Sequence, residues 1–427
     1  MVRQYHSSDT GVVSNSVSLR DYRAALTAPG AVTPVLTSLL ARLPIAMVGL
    51  SLMLYVQRET GSFAAAGLVS AGALVGVACG SVVQGRVMDR IGPTLPLYVM
   101  SGVFAALVAA EIAVIEAHAP VAVLVALAFA VGISEPMTGP ASRALWNVLL
   151  PPGPARDAAF SYEAISMEVF FILGPGLAGL LVAMPWPGTG VVAGAACMIV
   201  GSVGFASTRA ARSQRPERPE RTGRGRSNML GALASPGMRT VALAALGFGA
   251  LIGFIEVGVP AAAELAGHPT AGGLLLSLLS VSSVLVGVLY GMRPWPRAMH
   301  LRLPALLFGF AALITLLAVP TTLWGLALAL LLAGSLITPQ STAHSVSLEI
   351  AAPAGTATEA FGWVVTSVTL GAAFGQSVSG QIVETAGPPA AFLAASAVGA
   401  LAALVLWLRR GTLRPEPAAA SPQLAGV

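Results

Sequence analysis

Twelve apolar stretches, each of about 20 residues, leave this chain very few possible folds. They fall at 34–56, 63–83, 95–115, 121–145, 160–184 and 190–207. After a polar interval they resume at 241–261, 271–290, 303–319, 324–344, 361–382 and 390–408. A helix of that length crosses the hydrocarbon layer, and lipid offers no partner to a backbone that is neither helical nor closed into a barrel. The soluble alternative fails on charge. The chain is 56% hydrophobic and 10% charged, with a mean hydropathy of +0.81, whereas a soluble domain carries about 25% charged residues. The expected fold class is an all-α integral membrane protein of twelve transmembrane helices, arranged as two six-helix pseudo-symmetric halves.

The basic residues set the expected orientation. All 23 are arginine. With the N-terminus inside, 21 of the 23 fall in inner segments; Arg58 alone falls outside, and Arg42 lies within the first span. The outer loops carry Glu59, Glu116, Glu264 and Glu384. Cytoplasmic loops collect arginine, so the expectation is a multi-pass plasma-membrane protein with both termini cytoplasmic. The pI of about 9.8 then reflects span ends, and nucleic acid is excluded as a partner. The expected organisation is an N-terminal arm at 1–33, a six-helix bundle at 34–207 and an Arg/Pro-rich linker at 208–240. A second bundle at 241–408 and a tail at 409–427, rich in Ala and Pro and expected to be disordered, complete it. Cys79 and Cys197 lie in apolar runs and read as packing residues, with no disulfide framework and no metal-ligand spacing. The N-terminus shows no signal-peptide pattern. Offsets of about 200 residues relate the halves: Glu163 to Glu359, Gly174 to Gly371, and Pro136 to Pro339.

Between the second and third spans lies Gly85-Arg86-Val87-Met88-Asp89-Arg90-Ile91-Gly92, read as a charged turn. Gly85 would admit a neighbouring helix closely, Asp89 would sit against a helix N-terminus, and Gly92 would permit the tight turn. The run resembles the signature loop of the major facilitator superfamily, G-x-x-x-D-R-x-G, with Gly85, Asp89, Arg90 and Gly92 in register. Pro93 and Thr94 depart from the basic residues that usually follow. Gly174-Pro175-Gly176-Leu177-Ala178-Gly179 in span five similarly resembles the family's antiporter signature, G-P-x-x-G-G; Gly174, Pro175 and Gly179 match, Ala178 replaces a glycine, and Phe170 stands where a further glycine is expected. The arginine that drug–proton antiporters of the family carry in span four is absent; Ala128 holds that position. The resemblance covers nearly the whole chain and implies a drug-efflux-like bacterial member, with the loop gating conformational change.

Ionisable and polar groups inside spans are costly and mark candidate pathways. Arg42 could bind an anionic group or pair with a carboxylate; the plainer reading is a structural pair near the inner face. Glu135, beside Pro136, could carry a proton or cation, or pair with Arg42 or Arg143. Glu163 and Glu168 are five residues apart and so do not share a helix face. Glu163, close to the span end, reads as structural, and Glu168 as the better titratable group. Glu256 could line a cavity between the halves, and Glu111 ranks lower. Trp363 could face that cavity. Gln340, His344 and Gln376 could touch substrate or simply bridge helices. Trp146, Trp186, Trp295, Trp324 and Trp407 lie near span ends, as interfacial anchors do.

The reading is a secondary transporter working by alternating access, exporting a small amphipathic compound in exchange for protons. An uptake permease, symporter or uniporter is the alternative within the class, and a non-transporting sensor is the remote one. The expected partners are a small-molecule substrate, protons and the lipid bilayer, for a monomer without cofactor or metal. An enzyme is not expected: there is no H-E-x-x-H, no G-x-S-x-G and, without lysine, no nucleotide-binding G-x-x-x-x-G-K-[ST].

Overall fold

The computed structural model describes residues 18–214, 231–291, 299–353 and 356–413. Among them are eleven helical runs long and apolar enough to cross a membrane. The last, Glu359–Leu413, has 55 residues. At 1.5 Å per residue that is about 80 Å, against a hydrocarbon layer of about 30 Å. It folds back on itself at Gly387, whose φ of 80° and ψ of 169° are not helical, followed by Pro388 and Pro389. The run is therefore two spans joined without a loop, and the count is twelve. With an even count both described chain ends lie on one side, here termed the terminal face; the opposite side is the distal face.

Span one (Val32–Thr60) breaks after Arg42 and resumes at Ile45; span two is Phe63–Ile91, span three Thr94–Glu116. Span four (Val121–Leu149) breaks between Ser134 and Thr138. Spans five to nine are Pro154–Val182, Thr189–Ser207, Pro236–Leu265, Ala271–Tyr290 and His300–Ala318. Span ten (Leu323–Ala351) breaks between Gly334 and Ile337. The breaks in spans four and ten stand about 200 residues apart, the offset of the sequence repeat.

Several boundaries differ from the sequence expectation. Gly85–Ile91 is not a turn but the last two turns of span two; apolar Val87, Met88 and Ile91 sustain the helix, and the chain turns only at Gly92, with φ 84°. Span seven starts at Pro236, five residues early, because Ser235 caps it by accepting from Met238 N at 3.4 Å. The arm contains a short helix, Leu19–Leu26, capped reciprocally by Ser18 and Asp21. Its Ala25 packs with Trp146, Leu150 and Ala159 at the ends of spans four and five. The Ser18 hydroxyl, and then its amide, hold the exposed Asp21 carboxyl below its usual range. The linker's first residues, Arg209–Ser213, form one helical turn. Its Arg-Pro-rich part, Trp295 and the tail beyond Leu413 lie outside the described residues.

Apolar burial divides into two main clusters. One draws on spans one to six around Tyr55, Phe104 and Met198; the other draws on spans seven to twelve around Phe254, Phe310 and Phe392. Close helix packing inside the first half rests on small residues. A β-carbon at Gly76 would lie 2.1 Å from Phe129 O, and one at Gly132 2.1 Å from Ala73 O, so spans two and four meet backbone to backbone.

Candidate functional site

The two halves touch through spans two and eleven, and through spans five and eight. Among the described residues, every close glycine approach between halves lies in the distal parts of those spans, and the hydrogen bonds between halves lie at the distal face. A β-carbon on Gly67 would meet Gln376 O at 2.4 Å, and one on Gly380 would meet Phe63 O at 2.4 Å. A β-carbon on Gly273 would lie 2.2 Å from Pro175 O, and one on Gly179 3.0 Å from Thr270 O. Polar latches flank this seam. Gln57 Nε2 donates to Glu264 Oε1 at 2.8 Å. Glu384 Oε2 accepts from Ser62 Oγ at 3.1 Å and Ala64 N at 3.3 Å, so a carboxylate from the second half sits on the N-terminus of span two, where the helix dipole favours it.

Towards the terminal face the same four spans are uncovered. Val82, Ile165, Val288 and Val365, each within about 60° of the helix face that carries the distal glycine of its span, are exposed. The face of span two that carries Gly67 returns 18 residues, or five turns, later at Gly85. The face of span eleven that carries Gly380 returns 18 residues earlier at Gly362. A β-carbon at Gly85 or Gly362 would meet nothing within 4 Å. The close approach expected of Gly85 is thus not made here. Glu168 lies 11 residues, three turns, before Gly179 on the half-facing side of span five, and it is exposed.

Arg42 finds its carboxylate in Glu163, not in Glu135. The ion pair is buried, with Arg42 3% and Glu163 4% exposed. Glu163 Oε1 also accepts from Ser142 Oγ and Trp146 Nε1, each at 2.9 Å, and Glu163 O accepts from Arg42 NH2 at 3.1 Å. Trp146 is therefore a buried donor rather than an interfacial anchor: the span-four break turns its second segment inward. The Phe170 ring lies 5.7 Å from the guanidinium carbon, which gives a bulky side chain a role where a glycine was expected. Glu135 sits at the end of the first segment of span four, half-buried, its carboxyl without a hydrogen-bond or ion-pair partner among the described residues. Its backbone is held by Gln84 of span two, whose Nε2 donates to Ile133 O and Glu135 O at 2.8 Å while its Oε1 accepts from Met137 N at 3.3 Å. The breaks in spans one and four are neighbours, since a side chain at Gly139 would start 3.9 Å from Arg42 Nε.

In the second half, Gln376 Nε2 donates to Glu256 Oε2 at 2.7 Å, joining spans seven and eleven beside the Gly67 crossing. Gln340 is wholly buried within the second half, away from the opening. Trp363 Nε1 donates to Glu359 at 3.3 Å near the terminal face. Asp89 and Arg90 are exposed and form no ion pair among the described residues; Asp89 borders a cleft with Pro93, Pro140, Asn147 and Gln214. In the span-five signature, a β-carbon on Gly174 would stand 3.0 Å from the Ala46 carbonyl carbon of span one, while Gly176 and Gly179 face span eight.

A family profile described as Major Facilitator Superfamily matches residues 35–359. Among solved structures, the nucleoside transporter NupG superposes with a TM-score of 0.70 at 14% identity, covering 89% of this chain and 99% of that one. A peptide transporter, POT, in complex with alafosfalin gives 0.70 at 15%, covering 93% and 99%. A bacterial homologue of the human lysosomal transporter Spinster, inward-facing and unoccupied, gives 0.65 at 16%, covering 93% and 98%. No curated protein matches the chain by sequence. At these identities the likeness is one of fold.

Proposed function

Because the chain belongs to the major facilitator superfamily, whose members are membrane transporters and not enzymes, we propose that it exports a small amphipathic compound in exchange for protons. The observation that carries this reading is Glu168, an exposed carboxyl on the half-facing side of span five, in a gap bordered mainly by apolar side chains. An apolar lining suits an amphipathic solute better than a sugar, which needs many placed polar groups. A single carboxyl there can exchange a proton for the solute as the halves rock. In this reading the arginine-rich terminal face lies in the cytoplasm, and the gap opens there, ready to load. Arg42–Glu163 braces the first half, Glu256–Gln376 borders the closed end of the gap, and Glu135 is a second proton-binding group at the span-four break.

The test uses everted vesicles with an imposed pH gradient and a panel of lipophilic cations. Export predicts substrate-dependent collapse of the gradient, abolished in Glu168→Gln with substrate binding retained. Substrate flux that is downhill and indifferent to pH, in native protein and variant alike, would make the chain a uniporter and Glu168 a lining residue.

A further inference from the structure

Span ten carries a polar row that the gap between the halves does not use. Gln340, His344 and Ser347 follow one another at i, i+4 and i+7, so they share one helix face over about 10 Å. They are 0%, 4% and 0% exposed. Four of their side-chain atoms have no hydrogen-bond partner among the described residues: Gln340 Nε2 and Oε1, His344 Nε2 and Ser347 Oγ. The segment packs against spans seven, eight and nine. His344 lies against the Ala244 backbone, and its ring is 5.7 Å from that of Phe248.

Polar groups beyond each end of the row are paired. Toward mid-bilayer, Ser283 Oγ and Thr338 Oγ1 bond at 2.7 Å. At the terminal face, Thr240 bonds Thr412 at 2.8 Å and Arg409 Nε at 3.0 Å. Native proteins leave few buried polar atoms unbonded, so four consecutive ones on a single face point to an occupant. The row offers donors and acceptors and no charged carboxylate or guanidinium. That chemistry fits water, which takes two to four such partners in a buried site.

We propose that Gln340, His344 and Ser347 hold a row of buried waters inside the second half, running from mid-bilayer toward the terminal face and bypassing the gap. Such a row would put the His344 imidazole in proton exchange with the cytoplasmic side. That consequence for coupling rests on the export reading; the row itself does not.

X-ray radiolysis of the full chain in nanodiscs tests it. Radicals formed from bound water label the side chains beside it, and mass spectrometry reads the rate at each residue. His344 and Phe248 should be labelled roughly tenfold faster than Phe254 and Phe392, which are buried in apolar surroundings. The double variant Gln340→Leu/Ser347→Ala should bring both to the slow rate. Labelling of native His344 and Phe248 at the rate of Phe254 overturns the proposal, whether or not the variant folds. No substrate or gradient is present, so failed export leaves the water row standing, and a dry row leaves export standing.

Discussion

The sharpest test concerns the glycine pairs on spans two and eleven. Gly67 and Gly380 make the distal seam, where a β-carbon on Gly67 would stand 2.4 Å from Gln376 O and 3.4 Å from the Gly380 Cα. Ordinary contact needs about 3.5 Å, so Gly67→Ala forces the two backbones apart by about 1 Å. Overpacking of that kind costs about 1–3 kcal/mol, which shifts a two-state population by about 5- to 150-fold. Gly85 and Gly362 lie about 27 Å away along each helix, on the same faces, against open space. If the halves rock so that spans two and eleven cross at the terminal end instead, Gly85→Ala or Gly362→Ala costs nothing in the observed state and the same 1–3 kcal/mol in the opposite one. Spin labels report this directly, in a Cys79→Ser/Cys197→Ser background, with pairs at Val148/Glu349 on the terminal face and Ala117/Thr321 on the distal face. Gly67→Ala should shorten the terminal distance and lengthen the distal one. Gly85→Ala and Gly362→Ala should do the opposite and slow transport. Unchanged distance distributions in both terminal-side variants would refute the idea that these glycines are the contact points of the other state.

Three further outcomes follow from the polar contacts. Removing one partner of the buried pair, by Arg42→Met or Glu163→Leu, should destabilise the protein by about 3–5 kcal/mol; thermal unfolding in detergent should show the double variant recovering part of the loss. Gln84→Leu strips the cap from the span-four break and should cost about 1–3 kcal/mol, with Gln84→Glu failing to restore it because a carboxylate cannot donate to Ile133 O and Glu135 O. Glu384→Ala combined with Gln57→Leu removes both distal latches, and the Ala117/Thr321 label pair should then populate longer distances without loss of thermal stability.

The spans were legible in the sequence because hydropathy acts locally: twelve runs, an even count and the six-plus-six spacing need no tertiary knowledge. The breaks were not. Pro136 marks one, yet the breaks in spans one and ten depend on what packs beside them. The partner of Arg42 was likewise hidden, since Glu135 and Glu163 are both plausible by depth, and only the direction of the second segment of span four decides between them. Gln84 gave no signal at all. An amide inside an apolar run looks like a bridging group, and its work is to bond backbone atoms whose exposure the sequence does not reveal. That Glu163 is buried and Glu168 exposed was legible, because a five-residue separation forces the two carboxyls onto different faces.

Thr240 Oγ1, which bonds Thr412 Oγ1 and accepts from Arg409 Nε, fastens the last described turn of the chain to the start of span seven. Spans seven to twelve thus begin and end at one point, like a clasped bracelet. Spans eleven and twelve, joined at Gly387 without slack, cannot be displaced separately. A pull on the chain end would be borne at the clasp before it reached the gap, and the second half would turn as one piece or not at all.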